Sequence, residues 1–155
     1  MLIRSVFLLS NCVLCLAQSL EINPVTVDRG SANIFRIILK PVAEKPIAAL
    51  QWDVVYGGGL RIAPSWILPG AAAEIASKVV TCGPKPSQGS KHRWACILAG
   101  GVQPLPAGVV AIIRFEAASD APRGEMTVEL EGIAGASPGT EAISIKNVNA
   151  VITVR

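Results

Sequence analysis

The chain is poor in the residues on which most enzyme and nucleic-acid sites depend. Its 155 residues include one histidine, and aromatic residues make up only 5%. Charged residues account for 16%, whereas soluble domains usually have about 25%. The net charge of +3 is spread thinly, without the charge runs and interleaved aromatics that follow a phosphate backbone. Composition therefore argues against nucleic-acid binding, and the length fits one domain.

Motifs that could support catalysis are also scarce. Gly135 to Gly139 match the G-x-S-x-G nucleophile elbow, but a polar loop follows them where the elbow needs a helix. The one histidine, His92, lies in a Lys/Arg-rich segment, and the acidic residues show no pairing typical of glycosidases. Calcium loops of the D-x-D-x-D-G type and glycine-rich phosphate loops are absent. We therefore expect no enzyme and assign no catalytic residue, metal or cofactor.

Long apolar runs are confined to the first 17 residues, MLIRSVFLLSNCVLCLA. One positive charge, an apolar stretch and the ending Cys15-Leu16-Ala17 predict a secretory signal peptide over residues 1–17. A transmembrane helix needs about 20 apolar residues, and Ser10 and Asn11 interrupt this stretch. The sequence thus predicts a secreted protein, extracellular or periplasmic, with no transmembrane segment after processing.

Cysteine is limited to four residues, and two of them belong to the leader. A lipoprotein would be acylated at Cys12 or Cys15, but neither is preceded by the small residue that this requires. Processing would leave Cys82 and Cys96, which are 14 positions apart. In an oxidising compartment an even pair predicts a disulfide. A two-cysteine metal site is the alternative, and the sequence offers it only one histidine.

Helical periodicity is nearly absent after the leader. From Val25 onward, short runs rich in Val and Ile alternate with Gly, Pro, Asn and Ser clusters, which is typical of an all-β domain. About nine strands in residues 18–155 predict a single two-sheet β-sandwich of jelly-roll or Ig-like type. Only residues 71–78 have helical propensity, so at most one short helix is expected. The predicted strands are 25–28, 34–41, 48–56, 60–62, 79–82, 93–99, 109–117, 126–133 and 147–155.

Alternation along two predicted strands assigns their faces. In residues 48–56 the even-numbered side chains, which include Trp52 and Tyr56, are expected in the core. In residues 93–99 the charge of Arg93 places the odd-numbered side chains outside, so Trp94 and Cys96 face inward. The outward positions carry mostly Ala, Val and Ile, which makes this face unusually apolar.

Five stretches of the sequence after the leader carry a family pattern through their order and spacing: 25–30, 46–62, 97–101, 108–115 and 124–139. Taken in this order, they resemble bacterial cohesin modules, the β-sandwich receptors that hold dockerin-bearing enzymes in cellulosomes. The resemblance covers nearly all of residues 24–155. Family 3 carbohydrate-binding modules share this sandwich, so the fold alone does not separate a protein receptor from a sugar binder.

The resemblance implies a partner-binding site on one sheet face, where cohesins receive the dockerin helices. Ala49 and Gln51 stand where many cohesins have Asn and acidic groups, and a Cys82–Cys96 bridge is not a general cohesin feature. By position, the implied contact residues are Ala49, Gln51, Asp53, Val55, Arg93, Ile97 and Ala99.

The first functional hypothesis is a secreted, non-catalytic module that binds a dockerin-like protein partner, with a link to polysaccharide degradation as a further expectation. A carbohydrate-binding module is the alternative, and Trp66 is its free aromatic candidate, because the other tryptophans are expected in the core. A structural envelope or adhesion domain that assembles through its edge strands is a third hypothesis.

Overall fold

The structure, a computed structural model, describes residues 17–155, so residues 1–16 of the predicted leader lie outside the described residues. Within the described range, thirteen β-strands form two sheets, accompanied by one short α-helix, α1 (Ala71–Ile75), and a 3-10 turn (Pro64–Trp66). The strands are β1 (Ser19–Ile22), β2 (Val25–Val27), β3 (Ala32–Lys40), β4 (Ala49–Gly57), β5 (Leu60–Arg61), β6 (Ile67–Pro69), β7 (Val79–Gln88), β8 (Lys91–Ala99), β9 (Gly108–Ala117), β10 (Gly124–Ala136), β11 (Ala142–Ile143), β12 (Lys146–Val148) and β13 (Ala150–Val154).

Hydrogen-bonded pairing sets the order of the strands within each sheet. The first sheet has the order β12-β1-β3-β9-β5, and β6 also pairs with β9. The second has the order β2-β13-β10-β4-β8-β7, and β11 also pairs with β10. Pairing is antiparallel except between β1 and β12 and between β2 and β13. Because β12 and β13 join different sheets, the chain crosses between the layers at Asn149.

The core lies between the sheets and is built from alternate residues of each strand. Phe35 and Ile37 on β3 are fully buried, and they belong to one apolar cluster with Trp52 and Val54 on β4, which are also fully buried. Because successive side chains point to opposite faces of a strand, each sheet contributes one apolar face to this layer. The predicted all-β, two-sheet sandwich with one short helix is therefore confirmed.

The predicted elements differ from the observed ones where pairing is non-local. The single strand predicted over 147–155 is two strands, β12 and β13, which pair with different sheets. β7 continues six residues beyond the predicted end at Cys82, through Pro84 and Pro86. A proline lacks a backbone N–H, and β7 tolerates two of them because it is the edge of its sheet. The short strands β1, β6 and β11 were not predicted, since two to four residues carry too little pattern.

The helix is shorter than the sequence suggests. α1 ends at Ile75, and the amide of Lys78 donates to the carbonyl of Ala73 (2.8 Å) as the chain turns. Ser77 takes a positive φ of 53° in this turn, which delivers the chain into β7. No helix between residues 17 and 155 has the length and apolarity to cross a membrane.

Candidate functional site

Four neighbouring strands of the second sheet, β10, β4, β8 and β7, present one outward surface, the candidate face. Pairing fixes its residues in rows across the strands. In the row at one end of the face, Ala136 pairs with Ala49, and Ala99 pairs with Val79. The next three rows are Ala134, Gln51, Ile97 and Thr81; then Glu131, Asp53, Ala95 and Gly83; then Glu129, Val55, Arg93 and Lys85.

The candidate face is divided into an apolar half and a charged half. The rows that contain Ala99 and Ile97 carry no charged side chain, and Ile97 and Val79 are both more than half exposed. The other two rows hold five charged residues, and Lys91 lies beyond them at the β7–β8 turn. An exposed aliphatic surface beside an ordered polar border is typical of a protein interface.

Asp53 is the centre of the charged half and is almost completely buried, with 3% of the residue exposed. The ammonium group of Lys85 donates to both of its carboxylate oxygens, at 2.9 and 2.8 Å. Nη1 of Arg93 also donates to Asp53 (3.4 Å), while Nη2 of the same side chain donates to Glu131. The buried carboxylate is thus paired with two cations, as a buried charge requires.

A bulge in β10 makes room for this cluster. The register of β10 against β4 shifts between Glu131 and Ala134. Gly132 in the bulge has a φ of 56°, which glycine adopts without the steric cost that a side chain imposes. A Cβ at this position would lie 3.6 Å from an oxygen of Asp53. The bulge therefore brings the β10 backbone close to the buried carboxylate.

The inner side of the same strands is crosslinked and packed. A disulfide joins Cys82 on β7 to Cys96 directly opposite on β8, which confirms the predicted pair. The indole N–H of Trp94 donates to the hydroxyl of Tyr56 (3.0 Å). Burial of Tyr56 raises the pKa of its hydroxyl above 10.0, although the hydrogen bond from Trp94 acts in the opposite direction. The disulfide and this hydrogen bond therefore stabilise, from the inner side, the strands that carry the candidate face.

The structure brings the predicted contact residues together on the candidate face, but it does not leave all of them accessible. Gln51, Ile97 and Ala99 are exposed. Asp53 and Val55 point outward yet are only 3% exposed. Long charged side chains on neighbouring strands account for this, and Arg93 is partly buried with them. The predicted contact residues of the site are Ala49, Gln51, Asp53, Val55, Arg93, Ile97 and Ala99.

Sequence reasoning missed the residues that other strands add to the candidate face. Val79 and Lys85 come from β7, and Glu129 and Glu131 come from β10. The spacing of Glu129 and Glu131 already placed both on one side of a strand. What the sequence did not show was the order of the strands, which places β10 and β7 on either side of β4 and β8.

Trp66, the aromatic residue singled out for sugar binding, lies on the other side of the molecule, beside β9. The guanidinium groups of Arg61 and Arg114 lie over its ring, 5.3 and 4.5 Å from the ring centroid. Such cation–π contacts occupy the aromatic plane that a sugar would stack against. Trp66 is therefore engaged with two cations within its own chain.

The serine motif and the possible metal ligands noted in the sequence form no catalytic or metal site among the described residues. The hydroxyl of Ser137 accepts a hydrogen bond from the amide of Glu141 (3.0 Å) in a turn, so the G-x-S-x-G segment forms no nucleophile elbow. In the part of the chain that the structure describes, no group of three or more His, Cys, Asp or Glu side chains is arranged to hold a metal ion.

Comparison with known proteins identifies the fold. No family model matches the chain, and no curated protein matches it. Among solved structures, the chain is similar to the cohesin of a Clostridium thermocellum Coh-OlpA-Doc918 complex, with a TM-score of 0.74, 16% identity, and coverage of 90% of this chain and 99% of that one.

Two further solved structures extend this likeness. The sixth cohesin of Acetivibrio cellulolyticus scaffoldin B, in complex with a Cel5 dockerin, gives a TM-score of 0.71 at 16% identity over 90% of this chain and 99% of that one. A non-cellulosomal cohesin from the archaeon Archaeoglobus fulgidus gives 0.68 at 11% identity over 90% and 91%. The two packed sheets, together with these likenesses over nine-tenths of the chain, show that it has the β-sandwich fold of a cohesin module.

Proposed function

We propose that this chain is a non-catalytic receptor module that binds a dockerin-type protein partner through the candidate face. The observation that carries the proposal is the exposed apolar half of that face, where Ile97 and Val79 lie diagonally across the adjacent strands β8 and β7 of a cohesin fold. Isolated exposed aliphatic residues are common, but a contiguous group on a rigid sheet is typical of an interaction site.

The binding experiment uses purified dockerin modules as probes, including the Doc918 and Cel5 dockerins of the similar complexes. At least one module of the panel is expected to bind. Ile97→Asp should weaken that binding at least about tenfold, because it places a charge in a desolvated interface. Leu68→Asp is the matched control, since Leu68 is 56% exposed on the first sheet and should leave affinity unchanged.

Two results would contradict the proposal. If no dockerin of the panel binds, the proposal of a dockerin-type partner is wrong. If the Ile97→Asp variant and the native chain bind with equal affinity, the binding site does not lie on the candidate face. Solution stability of both variants should be measured first, since both substitutions lie at exposed positions and are expected to leave the fold intact.

We further propose that the protein works outside the cytoplasm. The disulfide between Cys82 and Cys96 supports this location, because such bonds persist in oxidising compartments. Fractionation of the native cells, followed by N-terminal sequencing of the mature chain, tests it: an uncleaved cytoplasmic protein would contradict the proposal. A link to polysaccharide degradation would follow from the identity of the partner.

A further inference from the structure

An apolar corner lies at one end of the candidate face and extends beyond the strands. Four large hydrophobic side chains are exposed there: Ile75 at 69%, Val79 at 65%, Ile97 at 52% and Val102 at 72%. Among the described residues, the other exposed large hydrophobic side chains are Leu68 at 56% and Val148 at 41%, and both lie on the first sheet. The exposed aliphatic surface is therefore concentrated rather than scattered.

Local hydrogen bonds bring the pieces of the apolar corner together. Lys78 is only 4% exposed, and its ammonium group donates to the carbonyls of Gly100 (2.6 Å) and Gly101 (2.9 Å). These bonds tie the turn that carries Val102 to the segment between Ile75 and Val79. The apolar corner is thus a fixed surface, and its four side chains come from α1, β7, β8 and the turn after β8.

The charges of the candidate face are already paired within the chain. Asp53 is bound by Lys85 and Arg93, and Arg93 also binds Glu131. Lys91 binds Glu129 at 3.1 Å. Together with Lys91 from the β7–β8 turn, the three acids of these rows meet three cations, and little free charge remains to attract a charged partner. Residues 97–102 contain no charged residue, and Glu74 is the one exposed charge on α1.

The nearest sheet edge does not favour an added strand. β7 forms that edge, and its Pro84 and Pro86 lack the backbone N–H groups that a further strand would need. A partner would instead lie across the face, where the small residues Ala99 and Ala49 leave space beside Ile97. A helix with one apolar stripe fits such a surface.

We infer that the apolar corner is the main contact for an α-helix of a protein partner, one whose contact stripe is aliphatic or aromatic and carries no charge. The inference rests on the proposed function and deepens it by naming the chemistry of the partner. Ile75 and Val102, which lie outside the strands implied by the family resemblance, become determinants of specificity. The charged half orders the sheet and contributes little to affinity.

A probe independent of any dockerin tests the inference. A phage-displayed library of a stable α-helical scaffold, randomised along one face, is selected against the full chain. Enriched helices should carry aliphatic or aromatic residues at the contact positions. Their Kd should change less than about twofold between low and high salt, because screening affects only charge-driven contacts.

Variants then locate the contact. The double substitution Ile75→Ser and Val102→Ser should weaken the selected helices at least about tenfold. The matched control is Leu68→Ser with Val148→Ser, which removes two exposed aliphatic side chains from the first sheet and should leave the Kd unchanged. Thermal unfolding of both double variants shows that each remains folded.

The outcomes of these experiments test the inference independently of the proposed function. It is overturned if no helix is enriched, if enriched helices carry charged contact residues, if affinity falls steeply with salt, or if the corner variant binds normally. Dimerisation of the chain through the apolar corner, seen by light scattering, would also overturn it. A corner that captures apolar helices while every dockerin fails would support the inference and contradict the dockerin-type partner.

Discussion

Residues on the two sides of β4 are both buried, but for different reasons. Trp52 and Tyr56 face the core and are buried, whereas Asp53 faces outward and is equally buried because Lys85 and Arg93 lie over it. The outward position of Asp53 followed from alternation, but its burial depends on cations from two other strands. Asp53 is therefore better described as the organiser of an ion cluster than as a free contact residue.

Tyr56 offers a direct test at the residue scale, because it is the one tyrosine of the chain. Burial raises the pKa of its hydroxyl above 10.0, so its ultraviolet absorbance should titrate at higher pH in the folded protein than in denaturant. Since the folded pKa is the higher one, the stability linked to Tyr56 is complete below pH 10.0 and is lost as the pH rises through the folded value. Equal titration midpoints in both states would contradict this prediction.

At the scale of elements, α1 is positioned by a close approach to β9. The amide of Gly70, which precedes α1, donates to the carbonyl of Val110 (3.0 Å). A Cβ at Gly70 would lie 2.7 Å from the carbonyl carbon of Val109, a backbone atom that cannot move aside easily. The start of α1, and with it the side of the apolar corner formed by Ile75, depends on this contact.

Gly70→Ala should therefore lower the free energy of unfolding by about 1–3 kcal/mol through overpacking. Gly83→Ala is the matched control, because nothing lies within 4 Å of a Cβ there, and it should change stability by less than about 0.5 kcal/mol. Urea denaturation of the two variants measures both effects. A Gly70→Ala variant as stable as the control would show that β9 can shift to accept the methyl group.

For the whole molecule, the disulfide links the edge strand β7 to the rest of the second sheet. The bridge spans 14 positions of sequence, and β7 supplies both Val79 and Lys85 to the candidate face. Because the two sheets share one core, loss of the bridge should weaken the entire domain rather than release β7 alone.

Replacing Cys82 and Cys96 by serine should lower the free energy of unfolding by about 3 kcal/mol, the loss expected for a loop of this length. Denaturation followed by tryptophan fluorescence and by circular dichroism should still give one coincident transition. Added reductant should destabilise the native chain to the same extent and leave the serine variant unchanged. Two separate transitions would mean that β7 unfolds independently.

Particular strands show which features could be predicted from the sequence. Alternation in residues 48–56 correctly placed Trp52 and Tyr56 in the core, and the two cysteines outside the leader correctly predicted the bridge. It failed for residues 147–155, whose uniform pattern hides a crossing between sheets at Asn149. A period of two records which side a residue faces, but it carries no information about the strand that pairs with it.

The sequence by itself determined the fold class, the inner and outer sides of the long strands and the disulfide, because these depend on local pattern and on cysteine number. Only the tertiary structure decided which charges meet and which apolar residues gather. Lys85, Asp53, Arg93 and Glu131 come from four strands, and the apolar corner joins segments separated by about twenty residues. Pairing between distant strands sets such contacts, and it depends on the packing of the whole domain rather than on neighbouring residues.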